Sequence, residues 1–310
     1  MQQNQQLNSL LESYLGFEIL EYLNDPDVVE IYLNDDGKLW IDTLSYGRKY
    51  TGLIIDSNSA AGVIILTAGA VHQEVNEKNP ILSAEFPLTG ERFQGNLPPI
   101  VINPTFNIRK KATRIFTLAN YVETEIMTEN QKKFICKLIE EHQNILVVGG
   151  TGTGKTTLCN AILEQMSKLN ERIDIIEDTR ELQCMVDDVN YHRTSDEIDI
   201  RALIKNAMRQ RPDRIIVGEL RDGSALELLK AWNSGHSGGV CTIHANDAVG
   251  GLKKLEQYIQ EVSVNSQAEI IAEVVHSIIV IKRAGTGRKI SEIVKITGIK
   301  DGVYQLEDIE

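Results

Sequence analysis

Residues 144–158 read Asn-Ile-Leu-Val-Val-Gly-Gly-Thr-Gly-Thr-Gly-Lys-Thr-Thr-Leu, and they are the strongest indication of how the second half of the chain folds. Gly149, Gly154, Lys155 and Thr156 match the pattern G-x-x-x-x-G-K-[ST] of phosphate-binding loops. The aliphatic and β-branched residues before the loop are typical of a buried parallel strand, and the residues after Lys155 predict a helix. Glycines allow backbone N–H groups to surround phosphate oxygens, and the helix N-terminus favours negative charge. The stretch therefore predicts a strand, a loop and a helix that together bind a nucleoside triphosphate.

Every residue of this loop is a candidate contact for the nucleotide. Lys155 can reach the β- and γ-phosphates, and the Thr156 hydroxyl can ligate Mg²⁺. The alternative is a Gly-rich turn without a ligand, which the flanking strand and helix argue against. The predicted nucleotide-binding residues of the loop are Gly149, Gly150, Thr151, Gly152, Thr153, Gly154, Lys155, Thr156 and Thr157.

The composition is that of an ordinary globular protein with room for two domains. The chain has 310 residues, of which 42% are hydrophobic and 25% are charged. Its formal net charge of −12 disfavours a protein that coats DNA or RNA, although it leaves room for a local basic groove. The first basic residue is Lys38, so the sequence shows no secretory signal, and the apolar run 61–71 is too short to cross a bilayer. Four cysteines without a C-x-x-C pair indicate free thiols in a reducing compartment, and we expect a cytoplasmic protein.

Short elements punctuated by prolines predict a smaller α+β domain over residues 1–111. Leucines at helical spacing from Leu7 to Leu15 predict a core-facing helix, and Asp25-Pro26 ends it. Ser57 has the chemistry of an N-cap for a helix that runs to about His72. The predicted strands cover residues 28–33, 38–43, 81–86, 92–94 and 106–108.

Strands and helices alternate over residues 128–310, after a predicted linker at residues 112–127. Thr128 and Gln131 form a capping-box pattern that starts the first helix of this region. The predicted strands cover residues 144–148, 172–177, 214–218 and 239–243, and the predicted helices cover residues 155–168, 196–209, 223–232 and 248–260. This alternation implies a mostly parallel sheet with helices on both faces. Three further segments, at residues 277–282, 289–297 and 303–306, predict an antiparallel meander.

Two of the predicted strands end in carboxylates. The segment 213–221 is a strand followed by Glu219, where a nucleotide hydrolase needs an acid to organise Mg²⁺ and water. Gly218 occupies the position at which a generic Walker B strand has an aspartate, which weakens the match. The earlier strand leads into Glu177, Asp178 and Glu181, and ligands of open α/β sheets bind at such strand ends. Without the loop, the acidic stretch that begins at Glu177 would be an ordinary solvated turn, and a surface glutamate after a strand is the alternative for Glu219.

The segment 235–246 carries His236, Cys241 and His244. These side chains suggest zinc, but a fourth ligand at a useful spacing is missing. A polar strand end that senses phosphate is the better interpretation.

Four motifs taken together resemble those of one enzyme family. They are GGTGTGKTT from Gly149, IEDTRELQ from Ile176, RPDRIIVGELRDG from Arg211 and GHSGGVCTIHAN from Gly235. This set resembles the secretion superfamily of ATPases, its type IV secretion branch, and in particular the P-type conjugative-transfer (TrbB-like) ATPases. Segments 84–93, 97–99, 108–110 and 225–236 are also similar, so the resemblance extends from about residue 20 to about residue 300.

The resemblance implies an α/β fold with a C-terminal RecA-like P-loop domain, and it implies ATP and Mg²⁺ as cofactors. It assigns Mg²⁺ to Thr156 and Glu219, and it makes Arg92 and Arg109 the arginines of the N-terminal domain that reach the nucleotide. The catalytic residues that it implies are Lys155, Glu177 of the Asp box, Glu219 of Walker B, and His236 and His244 of the His box.

The resemblance also implies a homohexameric ring that associates peripherally with inner-membrane components of a secretion or conjugation channel. We expect no stable sequence-specific nucleic-acid binding. An alternative is a type IV pilus or type II secretion motor, although such motors often carry a tetracysteine zinc module that this sequence lacks. A nucleic-acid motor and a nucleotide-gated scaffold without hydrolysis are further alternatives. Stimulation by single-stranded DNA and a phosphate-release assay distinguish them.

Overall fold

The structure is a computed structural model that describes residues 2–43, 45–110, 115–195, 197–285 and 287–309. The chain divides into two compact units, residues 1–113 and residues 114–310. None of the helices in the described part of the chain is long and apolar enough to span a bilayer.

The first unit is one antiparallel sheet covered by two helices. Its elements are α1 (Gln2–Asn24), β1 (Val28–Leu33), β2 (Lys38–Thr43), β3 (Gly47–Ile54), α2 (Ser57–Ala70), β4 (Ile81–Glu85), β5 (Arg92–Asn96) and β6 (Thr105–Arg109). The strand order is β3-β2-β1-β6-β5-β4. Asp56, not Ser57, caps α2, because its carboxylate accepts the N–H groups of Asn58 and Ser59. Strand β3 was not predicted, since its residues are mostly half-exposed and carry no clear alternation.

The second unit is built on an eight-stranded sheet. Its elements are α3 (Leu118–Glu123), α4 (Glu129–Glu140), β7 (Ile145–Val148), α5 (Lys155–Met166), β8 (Ile173–Glu177), β9 (Val189–Arg193), α6 (Ile200–Ala207), β10 (Arg214–Val217), α7 (Ser224–Trp232), β11 (Val240–Ile243), α8 (Ala248–Gln260), α9 (Ala268–Val274), β12 (Ser277–Ala284), β13 (Gly287–Lys300) and β14 (Val303–Asp308). The strand order is β14-β13-β12-β7-β11-β10-β8-β9. Strands β12 to β9 of this order are parallel, and β13 and β14 continue the sheet as the predicted antiparallel meander.

Two apolar clusters, one on each face, hold the helices against this sheet. Strands β7, β8, β10 and β11 are buried on both faces, which explains their continuous aliphatic runs. The capping box predicted at α4 is confirmed, since Thr128 and Gln131 exchange side-chain and backbone hydrogen bonds.

Part of the predicted linker is packed structure. Leu118 and Tyr121 of α3, together with Met127, are buried in the apolar cluster that contains Ile135 and Ile139 of α4. A six-residue helix is too short for a recognisable period in the sequence, so α3 was not predicted. Residues 111–114 lie outside the described part of the chain.

Candidate nucleotide-binding site

The predicted site residues of the second unit gather at the carboxyl edge of the parallel strands. The phosphate-binding loop follows β7, Glu177 ends β8, Glu219 follows β10 and His244 follows β11. Since neighbouring parallel strands end at the same edge, their carboxyl ends bring these segments together.

The loop has the backbone conformation that its glycines predict. Gly152 and Gly154 have φ angles of 68° and 97°, in the left-handed region that glycine adopts without strain. A Cβ on Gly149 would lie 2.5 Å from the Thr153 hydroxyl oxygen and 2.6 Å from the carbonyl oxygen of Ile281, so the strand also needs glycine there. Among the described residues, no side chain caps the N-terminus of α5. The N–H groups of its first turn are therefore open to an anion.

Lys155 is held inside the loop. Its Nζ donates hydrogen bonds to the carbonyl oxygens of Gly149 and Gly150, each at 3.0 Å. Its exposed fraction is only 8%. The burial comes from the loop that wraps around the side chain, so the ammonium group is positioned at the centre of the phosphate cradle.

His244 connects Lys155 to the Walker B acid. The Lys155 Nζ lies 3.3 Å from Nδ1 of His244, and the His244 Nε2 lies 2.6 Å from Oε1 of Glu219. Burial lowers the pKa of His244, and the charge of Lys155 lowers it further, so the neutral ring is favoured at neutral pH. The Lys155 Nζ also lies 3.4 Å from Nε2 of His244, so the ammonium group is almost equidistant from the two ring nitrogens.

Glu219 is further oriented by Arg221. Its Oε2 accepts hydrogen bonds from Nε of Arg221, at 2.8 Å, and from Nη2. Nη1 of Arg221 lies 3.7 Å from Oδ2 of Asp178 in the segment after β8. The two strand ends are thereby joined by one guanidinium group, a contact that spacing in the sequence does not predict.

Glu177 occupies the space that a Walker B aspartate would need. A Cβ on Gly218 would lie 2.9 Å from Cγ of Glu177, so the glycine leaves room for this carboxylate. Glu177 accepts the N–H groups of Glu181 and Leu182, at 3.1 and 2.9 Å. Burial raises the pKa of Glu177 to about 7, against the opposite effect of these two hydrogen bonds. The side chain of Glu177 on the neighbouring strand β8 thus explains why residue 218 is a glycine.

The oxygen donors at this edge fit Mg²⁺. Magnesium in nucleotide sites takes one or two protein oxygens and completes its shell with phosphate and water. The Thr156 hydroxyl lies at the start of α5, and it donates to Oε2 of Glu181 at 3.5 Å. Glu177 and Glu219 come from the adjacent strand ends. Glu181, one of the three carboxylates predicted at the end of β8, is therefore a further candidate member of the site.

The structure does not bring His236 to this site. The His236 Nδ1 lies 2.8 Å from the carbonyl oxygen of Pro212, and these residues precede β11 and β10 respectively. They therefore lie at the amino edge, and β11 separates His236 from His244. His236 is not part of the site that the described residues of this chain form, because a strand places the two ends of one motif on opposite edges of a sheet.

Arg92 and Arg109 lie side by side in the first unit. Arg92 on β5 is directly opposite Arg109 on β6. On the other side of Arg92, strand β4 places Glu85 opposite it, and on the other side of Arg109, strand β1 places Glu30 opposite it. Directly paired residues share one face of a sheet, so the two guanidinium groups belong to one surface.

Two arginines that the sequence argument missed stand over the loop. Nη2 of Arg283 would lie 2.7 Å from a Cβ on Gly152, and Nε of Arg288 would lie 3.1 Å from a Cβ on Gly154. Both arginines come from the β12–β13 hairpin, far from the loop in sequence. The only feature of the sequence that pointed to these two arginines was a basic, Gly-containing turn after a buried strand.

The fold and this site define a P-loop nucleotide-binding protein. The chain belongs to the family of type II/IV secretion system proteins, whose model matches residues 75–286. It is 45% identical over 300 residues to the probable conjugal transfer protein TrbB of Sinorhizobium fredii, covering 96% of this chain and 92% of that protein. It is 27% identical to the type IV secretion system protein VirB11 of Bartonella henselae, covering 94% and 96%.

The fold is also that of a solved motor-protein structure. The crystal structure of the pilus retraction motor PilT with bound ADP superposes with a TM-score of 0.63 at 19% identity, covering 94% of this chain and 82% of that chain. These comparisons confirm two predictions, the α/β fold with a C-terminal P-loop domain and the membership of the TrbB-like type IV secretion ATPases.

Proposed function

We propose that the chain is a Mg²⁺-dependent ATPase that powers conjugative transfer or type IV secretion as a homohexameric ring. The observation that carries the proposal is the convergence of Lys155, Thr156, Glu177 and Glu219 at one sheet edge. The 45% identity to a protein described as a probable conjugal transfer protein supports the conjugative role. The ring acts at the cytoplasmic face of the inner membrane, in peripheral contact with channel components.

Different residues of the chain bind the phosphates, the metal and the water molecule. Bound Mg·ATP supplies the transferable phosphoryl group and a metal that neutralises its charge. The loop N–H groups and Lys155 bind the phosphates, and Thr156 orients the metal. Glu219 would position water, while Glu177, when it is ionised, would supply a second carboxylate at the metal site.

Lys155 and His244 link phosphate binding to Glu219. In the structure Lys155 donates to two loop carbonyls and contacts His244. When Lys155 turns to a phosphate it gives up part of these contacts, which frees His244 to adjust the position of Glu219. His244 therefore senses whether phosphate is bound.

The proposed division of the chain is a domain at residues 1–111, a linker at residues 112–127, of which α3 and Met127 pack with the second unit, and the ATPase domain at residues 128–310. Arg92 and Arg109 reach the phosphates when the domains close about the linker. A planar guanidinium suits this task because it donates several hydrogen bonds to phosphate oxygens at once. Hydrolysis then reopens the domains and moves the channel components.

The test is phosphate release by the purified full chain, with Mg²⁺ and with a chelator. Lys155→Ala removes the charge on the phosphates, and we expect turnover to be lost. Lys168→Ala is the matched control, since this lysine lies just beyond α5 with 55% of its side chain exposed. Normal turnover in Lys155→Ala would overturn the assignment.

Sizing and electron microscopy with a non-hydrolysable ATP analogue test the ring, and a monomer under all conditions would contradict it. Single-stranded DNA in the same turnover assay tests the nucleic-acid motor, and we expect no stimulation.

A further inference from the structure

We propose that Arg283 and Arg288 bind the phosphates of the nucleotide held by the loop, as an arginine pair supplied by the same chain. The inference rests on the proposed function, because it takes the loop to hold a nucleotide. It adds two ligand-binding residues, and it gives the β12–β13 hairpin a role in the site.

The first observation is contact with the loop. Nη2 of Arg283 would lie 2.7 Å from a Cβ on Gly152, and Cδ of Arg288 would lie 2.9 Å from a Cβ on Gly154. Both glycines have positive φ and belong to the loop whose N–H groups surround the phosphates. Because neither glycine has a side chain, the arginine side chains lie directly against the backbone that binds phosphate.

The second observation is uncompensated charge. Arg283 and Arg288 are directly paired across the hairpin, and both are exposed. Within the described part of the chain, neither makes an ion pair or a hydrogen bond to a carboxylate. Like charges directly opposite each other are destabilising, and the positive end of α5 and Lys155 stand close by. An anion in the loop offsets this repulsion.

The third observation is that the two arginines contact the part of the loop that comes before Lys155. Gly152 and Gly154 precede Lys155 and Thr156, which serve the γ-phosphate and Mg²⁺. The arginines therefore contribute to binding of ATP and ADP alike, and not to the hydrolytic step. The expected signature is a higher KM with an unchanged kcat, as for interactions equal in the ground and transition states.

The hairpin offers a matched control. Lys282 and Lys289 form the next cross-strand pair, and both are exposed. Successive pairs point to opposite faces of a hairpin, so this pair faces away from the arginines. A double lysine variant loses the same charge from the same hairpin.

The experiment is equilibrium dialysis of ADP and of a non-hydrolysable ATP analogue against the full chain. Arg283→Ala and Arg288→Ala should each weaken both ligands by about tenfold, the size of one charge-assisted hydrogen bond. The double variant should lose more, and it should show a weaker dependence of affinity on salt, since fewer phosphate contacts remain. Lys282→Ala/Lys289→Ala should bind as the wild type does.

Arg288→Gln is a second variant that removes the charge but keeps a polar side chain. Thermal melts without nucleotide check that each variant is folded. Wild-type affinity in the double arginine variant, or equal loss in the double lysine variant, would overturn the inference. Lys155→Ala in the same assay separates the two proposals. If the wild type binds and Lys155→Ala does not, normal binding by the arginine variants refutes the arginine pair alone. If the wild type binds no nucleotide, both proposals fail.

Discussion

Glu219 is the residue at which nucleotide binding and hydrolysis are expected to separate. Its Oε2 accepts hydrogen bonds from Arg221 and its Oε1 lies 2.6 Å from Nε2 of His244, so the side chain is oriented before a ligand arrives. Glu219→Gln keeps the shape but removes the charge that positions water. We expect nucleotide affinity close to wild type and turnover lower by about 10²-fold, the scale of a positioned acid or base. Parallel binding and turnover assays measure this.

Asp222→Asn is a control for Glu219→Gln, since it changes a nearby carboxylate that is not in the proposed site. If Glu177→Gln were the severe variant and Glu219→Gln the mild one, the roles of the two acids would be exchanged.

Glu177 predicts a specific pH dependence. Burial raises its pKa from 4.5 to about 7 in the folded protein, so folding favours the protonated form. Its contribution to stability is complete below the unfolded pKa and is lost as the pH rises through about 7. Glu177→Gln should therefore match the wild type in stability near pH 4.5 and exceed it above pH 7 without nucleotide. Denaturant unfolding across this range measures the difference.

Turnover should follow the opposite trend to stability. Only the ionised Glu177 would supply a carboxylate at the metal site, so wild-type turnover at limiting Mg²⁺ should rise as the pH passes through about 7. A wild-type profile without this step would show that Glu177 does not titrate in the site.

At the scale of elements, a buried arginine ties the amino edge of the second sheet together. Arg214 begins β10, and its side chain is fully buried. It donates to Glu171 before β8, to the carbonyl oxygen of Ile139 in α4 at 2.8 Å and to the carbonyl oxygen of Gly238 before β11 at 2.9 Å. One side chain thus fixes three strand starts and a helix end.

Arg214→Met should lower the free energy of unfolding by about 3–5 kcal/mol, because it leaves a partly buried carboxylate and two carbonyls without their donor. Arg172→Met is the control, since Arg172 makes an exposed ion pair with Asp188. Urea unfolding of both variants measures the effect, and equal midpoints would show that Arg214 contributes no special stability.

At the scale of the whole molecule, the proposal requires the two domains to close on the nucleotide. Arg92→Ala and Arg109→Ala should weaken nucleotide affinity and slow turnover by about tenfold each, the effect of one charge-assisted hydrogen bond to phosphate. Lysine should rescue poorly, because it lacks the planar fork. Affinity, turnover and melts without nucleotide are measured for each variant, with Arg48→Ala as control on β3 of the same domain.

Wild-type affinity and turnover in both alanine variants would show that the first domain takes no part in the site. Unchanged melting temperatures are expected, since Arg109 is exposed and Arg92 is only partly buried.

The amino-acid sequence was sufficient to predict the P-loop strand, loop and helix, the parallel sheet and the family. These features follow from local patterns, because buried parallel strands need continuous aliphatic runs and a phosphate cradle needs glycine at fixed spacings. The N-cap chemistry at Thr128 was equally local and is confirmed. Short or half-exposed elements such as β3 and α3 were not predicted, because they have too few buried apolar residues for a helix or strand periodicity to be recognised.

Contacts between side chains that are distant in sequence became visible only in the folded chain. Packing of β8 against β10 places Glu177 against Gly218, which explains a glycine where an acid was expected. The direction of β11 puts His236 at the amino edge and keeps His244 at the site. The β12–β13 hairpin carries Arg288 over a loop more than a hundred residues earlier. Spacing along the chain cannot show such contacts, because they depend on strand order in the sheet, which forms only when the apolar faces are buried together.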